Sequence, residues 1–225
     1  MGFNGYSMPM AYLTIDDAPS RDLPEKIDVL RKYDIPAVFF CEGRKLTERP
    51  EYGQQILEAD FHIGNHAYSH PHFSELSIEE TVDEILRTEQ LIDDVYERCG
   101  VDRPVKMFRF PYGDKGDNTR NSFQRVLRQH GFTPPDHDQI TYSWYHDHHA
   151  DEYDWNWTFS IEDWNAETPD EIREMITADS DRLQQSSPDI VLAHDHPDST
   201  DLFETYIETL LDHGVDFEPL CTLFS

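Results

Sequence analysis

The sequence predicts an α/β fold, a single domain over residues 1–225 in which strands alternate with helices in a parallel sheet or β/α barrel. Six short apolar, β-branched or aromatic runs each stop abruptly at a polar cluster. Helical periodicities lie between them. Acid, histidine and arginine residues gather directly after the runs, and in β/α barrels that edge of the sheet carries the active site.

The first run, residues 10–15, ends at Asp16-Asp17. A helix is expected over 22–33, with Leu23, Ile27 and Leu30 on one face. The second run, 35–40, stops at Cys41-Glu42-Gly43, where Cys41 reads as a buried hydrophobe. Ile56 and Leu57 mark a short helix before the run 61–64, which leads into Asn65-His66. Residues 77–98 form the plainest helix: Ser77 and Glu80 make a capping box, Val82, Ile85, Leu86, Ile92 and Val95 recur at helical spacing, and Gly100 stops it. The later runs are 105–110 before Pro111-Tyr112-Gly113, 155–161 before Glu162-Asp163-Trp164, and 190–193 before His194-Asp195-His196. Helices are expected over 119–129, 169–185 and 202–211, while 114–116 and 133–154 read as irregular.

A length of 225 residues, 37% hydrophobic and 12% aromatic, supplies a core and excludes a disordered chain. No apolar run is long enough to span a membrane. Residues 1–6 lack the basic and apolar parts of a signal peptide. With three widely spaced cysteines, this reads as a cytoplasmic protein in a reducing compartment. Forty-six acidic against 18 basic residues leave −28, which repels phosphate backbones and anionic lipid, so neither nucleic acid nor membrane is an expected partner. Arg (13) outnumbers Lys (5). Two readings fit this balance: an ordinary acidic protein, or one built for molar salt, where screening removes the self-repulsion. The oligomeric state is not encoded legibly.

Residues 65–70, Asn-His-Ala-Tyr-Ser-His, hold two histidines four apart, a spacing that lets two imidazoles meet one cation in a helical turn. His62 extends the series and His72 follows it. Alone, such a pair reads more readily as surface, and Asp16-Asp17 says less still in so acidic a chain. A hydrolytic divalent site needs two or three N/O ligands, an open position for water, and a base beside that water. An acid pair at one strand end and two histidines at another supply both.

In order along the chain, Thr14-Ile15-Asp16-Asp17, His66-Ala67-Tyr68-Ser69-His70, Arg109-Phe110-Pro111-Tyr112, Ser160-Ile161-Glu162-Asp163-Trp164 and Leu192-Ala193-His194 resemble five known motifs. These are the TFDD, H(S/T)xxH, RxPY, DxxDW and LxH motifs of the polysaccharide deacetylases, also called NodB-homology or family-four carbohydrate esterases. The resemblance implies a distorted (β/α) barrel and a metal-dependent hydrolase removing N-acetyl groups from an amino sugar or oligosaccharide. It implies one divalent metal, Zn²⁺ first and Co²⁺, Ni²⁺ or Mn²⁺ as alternatives, with Asp17, His66 and His70 as ligands. Asp16 would be the base that takes a proton from the attacking water, and Arg109 would hold it ionised. The Tyr112 backbone N–H would face the oxyanion. His194 would protonate the leaving amine, with Asp163 keeping its imidazolium charged. Trp164, Leu192 and Pro111 would line the acetyl pocket.

Two positions depart from the motifs. Ala67 stands where the family has Ser or Thr, which is expected to loosen a contact behind the ligands. Ser160 replaces the first acid of the fourth motif, whose role is lost or passes to Glu162. Three further groups carry alternatives. The histidines at 146, 148 and 149 would bind a second metal or form a solvated loop at the rim. Asp195 and His196 would support the acid or face solvent. Trp144, Tyr145, Trp155 and Trp157 would form a sugar-stacking wall or pack in the core. Two other functions remain: hydrolysis of a non-carbohydrate C–N bond on the same metal, favoured by the absence of an export signal, and an inactive carbohydrate-binding module.

Overall fold

In the computed structural model, residues 9–183 and 186–224 are described; the signal-peptide reading at residues 1–6 and the end of the helix expected over 169–185 lie outside them. Period-two burial sets the architecture. In β1 (Met10–Ala18), Leu13 and Ile15 pack outward against helices, while Tyr12 joins an inner cluster. In β2 (Ala37–Cys41), Phe39 and Cys41 face outward and Val38 and Phe40 inward. β3 (His62–Asn65), β4 (Phe159–Ser160) and β5 (Asp189–His194) complete a parallel sheet ordered β3-β2-β1-β5-β4, with β6 (Asp216–Phe217) beside the start of β1.

The sheet closes into a distorted barrel through two irregular arcs. Asn65 N–H donates to the Met107 carbonyl at 2.8 Å, and Arg109 N–H donates to that of Asn65 at 3.0 Å. Trp155 N–H then reaches the Phe108 carbonyl at 2.7 Å, and Thr158 N–H that of Ile190 at 2.9 Å. The run 105–110 is therefore one bridged position, Phe108 against Asn65, and 155–161 shortens to β4. The first arc bonds its neighbours at too few points to form a ladder, whereas the second pairs with β5 only over the two residues of β4.

Helices cover the outside: α1 (Leu23–Lys32), α2 (Gly43–Glu48), α3 (Pro50–Glu58), α4 (Ile78–Cys99), α5 (Arg120–Gln129), α6 (Ser143–His149), α7 (Pro169–Asp179) and α8 (Thr200–Asp212). The capping box at Ser77 and Glu80 is formed, and Gly100 ends α4 at φ 65°, a conformation glycine adopts without strain. α7 stops at Asp179, short of the span expected. α6 falls in a stretch read as irregular. Its one buried side chain, Tyr145, enters the barrel interior beside Trp155, Met107 and Phe40, while Leu220 and Leu223 join that cluster from the C-terminal turn. Among the described residues, no helix is long and apolar enough to cross a membrane.

The −28 charge gives a stability expectation. Raising salt from ~0.1 M, where the Debye length is about 10 Å, to several molar should raise the melting temperature strongly, because self-repulsion is screened. An unchanged melting temperature reduces the acidity to a solubility trait.

Candidate active site

Asp16 is the last inward residue of regular β1 and is 3% exposed. Alternation along a strand would send Asp17 to the opposite side. Instead the β1–β2 register slips between Ile15 and Ala18, and Asp17 takes φ 63°. Both carboxylates consequently line one cavity.

The histidines arrive on a loop, not on the helical turn their spacing suggests. Ala67 and His70 both have positive φ, 62° and 58°. The loop is held from behind. The Asn65 side chain accepts from Ala67 N–H at 2.9 Å and donates to Ile85 C=O and Glu89. Glu84 of α4 accepts from the backbone N–H groups of Tyr68 and Ser69, both at 2.8 Å. Ala67 is fully buried in the cluster of Phe73, Phe108 and Phe110, so the loop is fixed without a hydroxyl at that position.

His66 Nδ1 lies 2.9 Å from the Arg109 carbonyl and can only donate there, which leaves the Nε2 lone pair facing the cavity. Nε2 stands 3.5 Å from Asp17 Oδ1, and His70 Nε2 stands 3.0 Å from the same oxygen. The three ligand atoms lie within 4.8 Å of one another. A tetrahedral ion with bonds of about 2.1 Å sets its ligand atoms about 3.4 Å apart. Asp17 Oδ1 is buried without a well-formed hydrogen bond, which fits an oxygen meant for a cation. Burial would raise the Asp17 pKa, but the two imidazoles hold it far below the ordinary carboxylate value. A divalent cation therefore fits Asp17, His66 and His70.

Arg109, 1% exposed, ties Asp16 into the barrel. Its Nη1 donates to Asp16 Oδ1 and Thr14 Oγ1, each at 2.8 Å, and Nε to the Trp155 carbonyl at 2.7 Å. The guanidinium lies 4.4 Å over the Phe40 ring. At the end of the neighbouring strand, Asp163 accepts from both His194 N–H (2.9 Å) and Nδ1 (2.7 Å). Burial alone would lower the His194 pKa; the hydrogen bond and charge of Asp163 raise it above the ordinary value, with Asp16 and Asp17 adding to them. Trp164 packs edge-on against His194, and His196 stacks on it at 16°.

These groups surround a cavity of about 630 Å³, lined also by Tyr112, Gly113, Trp157, Ser160, Trp164 and Leu192. Pro111, expected in the pocket, is buried; Tyr112 and Gly113 form that wall, with Tyr112 at φ 57°. Glu162 is exposed and bonds Asn165, so it takes no role from Ser160. Glu42, at the N-cap of α2, and Arg44, in its first turn, also line the cavity, and sequence reasoning missed them. Nothing in their residue types distinguishes them from other charges in so acidic a chain.

A second hollow of about 770 Å³ shares Tyr112, Gly113 and Trp157 with the first and extends to Trp144. The four aromatics split: Trp144 is 43% exposed and lies in this groove with Trp157, whereas Tyr145 and Trp155 are core. His149 is tied to Glu152 at 2.6 Å and lies on α6, not in a solvated loop. Asp17, His66 and His70 are the one three-ligand cluster among the described residues, and 146–149 form no second. His62 sits at the opposite end of β3 from the site. Asp195 is fully buried and ion-paired, which excludes the solvent-facing alternative.

Residues 4–135, more than half of the chain, match the polysaccharide deacetylase family model. A peptidoglycan-N-acetylglucosamine deacetylase of Bacillus cereus is 24% identical over 219 residues, covering 96% of this chain and 71% of that protein. The next three curated relatives are spanned over only 41%, 24% and 26% of their lengths. Among solved structures, a family 4 carbohydrate esterase from Streptomyces lividans in complex with acetate superposes with TM-score 0.69 at 26% identity, covering 99% of this chain and 97% of that one. A family 4 pseudoenzyme from Bacillus anthracis has the same fold, with TM-score 0.71 at 24% identity over 98% of this chain and 66% of that chain. The motifs, the barrel and the family match agree: the chain belongs to the polysaccharide deacetylase family.

Proposed function

We propose that the protein is a metal-dependent deacetylase of N-acetylated oligosaccharides, with the whole chain working as one domain. One observation carries this reading. An arginine-held carboxylate and an aspartate-held imidazole line the same cavity as the Asp17–His66–His70 cluster. A binding module has no need of that pairing. The aromatic groove beside the cavity supports a saccharide over a small amide, since sugar rings stack on exposed aromatic faces and a small amide needs no such track.

Bound at Asp17, His66 and His70, a divalent cation such as Zn²⁺ would acidify a water and polarise the acyl carbonyl. Asp16, held in place by Arg109 at 2.8 Å, takes a proton from the attacking water as the water's oxygen bonds to the carbonyl carbon. The Tyr112 backbone N–H donates to the developing oxyanion. His194, protonated through Asp163, gives its proton to nitrogen as the C–N bond breaks, releasing acetate and a free amine. Trp164 and Leu192 enclose the acetyl methyl.

The test pairs chemistry with composition. Purified protein should hold close to one equivalent of divalent metal by elemental analysis and release acetate from chitooligosaccharides. His70→Ala should lose both metal and activity. Ammonia from small amides with no acetate from any saccharide overturns the substrate; full metal occupancy in His70→Ala removes His70 from the site.

A further inference from the structure

Behind the proton donor lies an ion pair with no exposed surface. Lys26 of α1 and Asp195, directly after His194, are both 0% exposed and 2.7 Å apart. The Asp195 carboxylate also accepts from Ser20 N–H at 2.6 Å and Ser20 Oγ at 2.7 Å. Lys26 Nζ donates in addition to the His196 carbonyl at 2.7 Å and lies 5.7 Å from the Phe203 ring. Asp195 N–H donates to the Asp16 carbonyl at 2.8 Å. The network therefore joins the segment after Asp17 to the segment carrying His194 and His196.

A lysine at this place is not needed for cohesion. An apolar pair of similar volume would hold α1 against β5 at least as well, because burying two charges costs most of what their attraction returns. What the pair adds is a fixed separation. Its directed bonds pin the backbone on either side of Asp195, and with it the distance between acid and base. A misplacement of about 1 Å in such a constellation costs up to about 10²-fold in rate.

We propose that Lys26, acting through Asp195, is a positioning residue for the proton donor, setting His194 against Asp16 across the reacting amide; this rests on the deacetylase reading above. Lys26 touches neither substrate nor metal ligand. Its removal should be felt where nitrogen must be protonated and not where the leaving group departs unaided.

The experiment compares an N-acetylated chitooligosaccharide with an activated aryl acetate on wild type, Lys26→Met and Lys26→Arg, with metal content measured on each. Lys26→Met should lower kcat on the amide by about 10²-fold with KM little changed. It should leave ester hydrolysis and metal content near wild type. Lys26→Arg should recover part of the amide rate. If Lys26→Met fails to fold because Asp195 is left as a lone buried charge, the double variant Lys26→Met with Asp195→Asn removes both charges and carries the same expectation. Equal losses on amide and ester, loss of metal, or no loss at all each overturn the assignment. No amide hydrolysis by wild type overturns the deacetylase reading itself, and this inference with it.

Discussion

Asp16→Asn should retain one equivalent of metal yet lose kcat by roughly 10²–10⁴-fold, the usual worth of a positioned acid–base group. The amide oxygen of asparagine still accepts from Arg109, so the side chain stays where the carboxylate was. It can no longer take a proton from water. Arg109 is left without its counter-charge in a buried place, so the folded state of the variant should be verified by circular dichroism before rates are compared. Asp17→Asn should behave differently and lose metal together with activity, because its Oδ1 is the oxygen both imidazoles approach. The two aspartates are neighbours in the chain and face one cavity, so proximity cannot separate them; only the paired measurement of metal and rate does. Loss of metal from Asp16→Asn overturns its role as base.

His194→Ala should likewise keep its metal and lose amide hydrolysis by roughly 10²–10⁴-fold. An activated aryl ester should be hydrolysed by this variant far better than by Asp16→Asn, since its leaving group needs no proton. The pH dependence has a definite sign. Asp163 holds the His194 pKa above its ordinary value, so the protonated acid persists to higher pH than a free imidazole would. The alkaline limb of the amide rate should reflect that raised value and vanish in His194→Ala. In Asp163→Asn the attraction is gone while burial remains, and burial lowers the pKa, so the limb should move to lower pH. A limb that stays in place removes Asp163 from this task. Equal rescue of His194→Ala and Asp16→Asn by the ester overturns the division into acid and base.

The strand ends were legible because each apolar run stops where a reactive side chain begins; β2, β3 and β5 end within one residue of that point, whereas β1 runs on through Asp16 and Asp17 to Ala18. The roles proposed for Asp16, Asp17, His66, His70 and His194 came with the ordered motifs; what the structure adds is that all five residues line one cavity. Geometry at single residues was not legible. The positive φ that brings Asp17 beside Asp16 comes from a register slip, and strand alternation predicts the reverse. The loop carrying the histidines leans on Glu84, an acid indistinguishable by composition from the other carboxylates on the surface of α4. Lys26 lies one residue before Ile27 on the apolar face of α1, where a lysine is normally read as solvated, and its partner is 169 positions away. Helix α6 carries too few apolar residues for a period to appear, because one large tyrosine does all of its burial. Long-range partners of charged groups are set by topology, and topology leaves no local mark.

Arg109 has a further consequence through the bonds that close the ring. Its backbone is one of the points where the arc 105–110 meets β3, and its side chain reaches Trp155 on the next arc and Thr14 on β1. The group that ion-pairs with Asp16 is thus also a keystone of the circumference. A fluctuation that parts these arcs should also part Asp16 from Arg109, which would make loss of the proposed base and cooperative opening one event. Amide hydrogen exchange at Asn65, Arg109 and Trp155 should accordingly slow and quicken together with the fraction of inactive enzyme. A lineage wishing to retune this base must first find another way to shut the barrel.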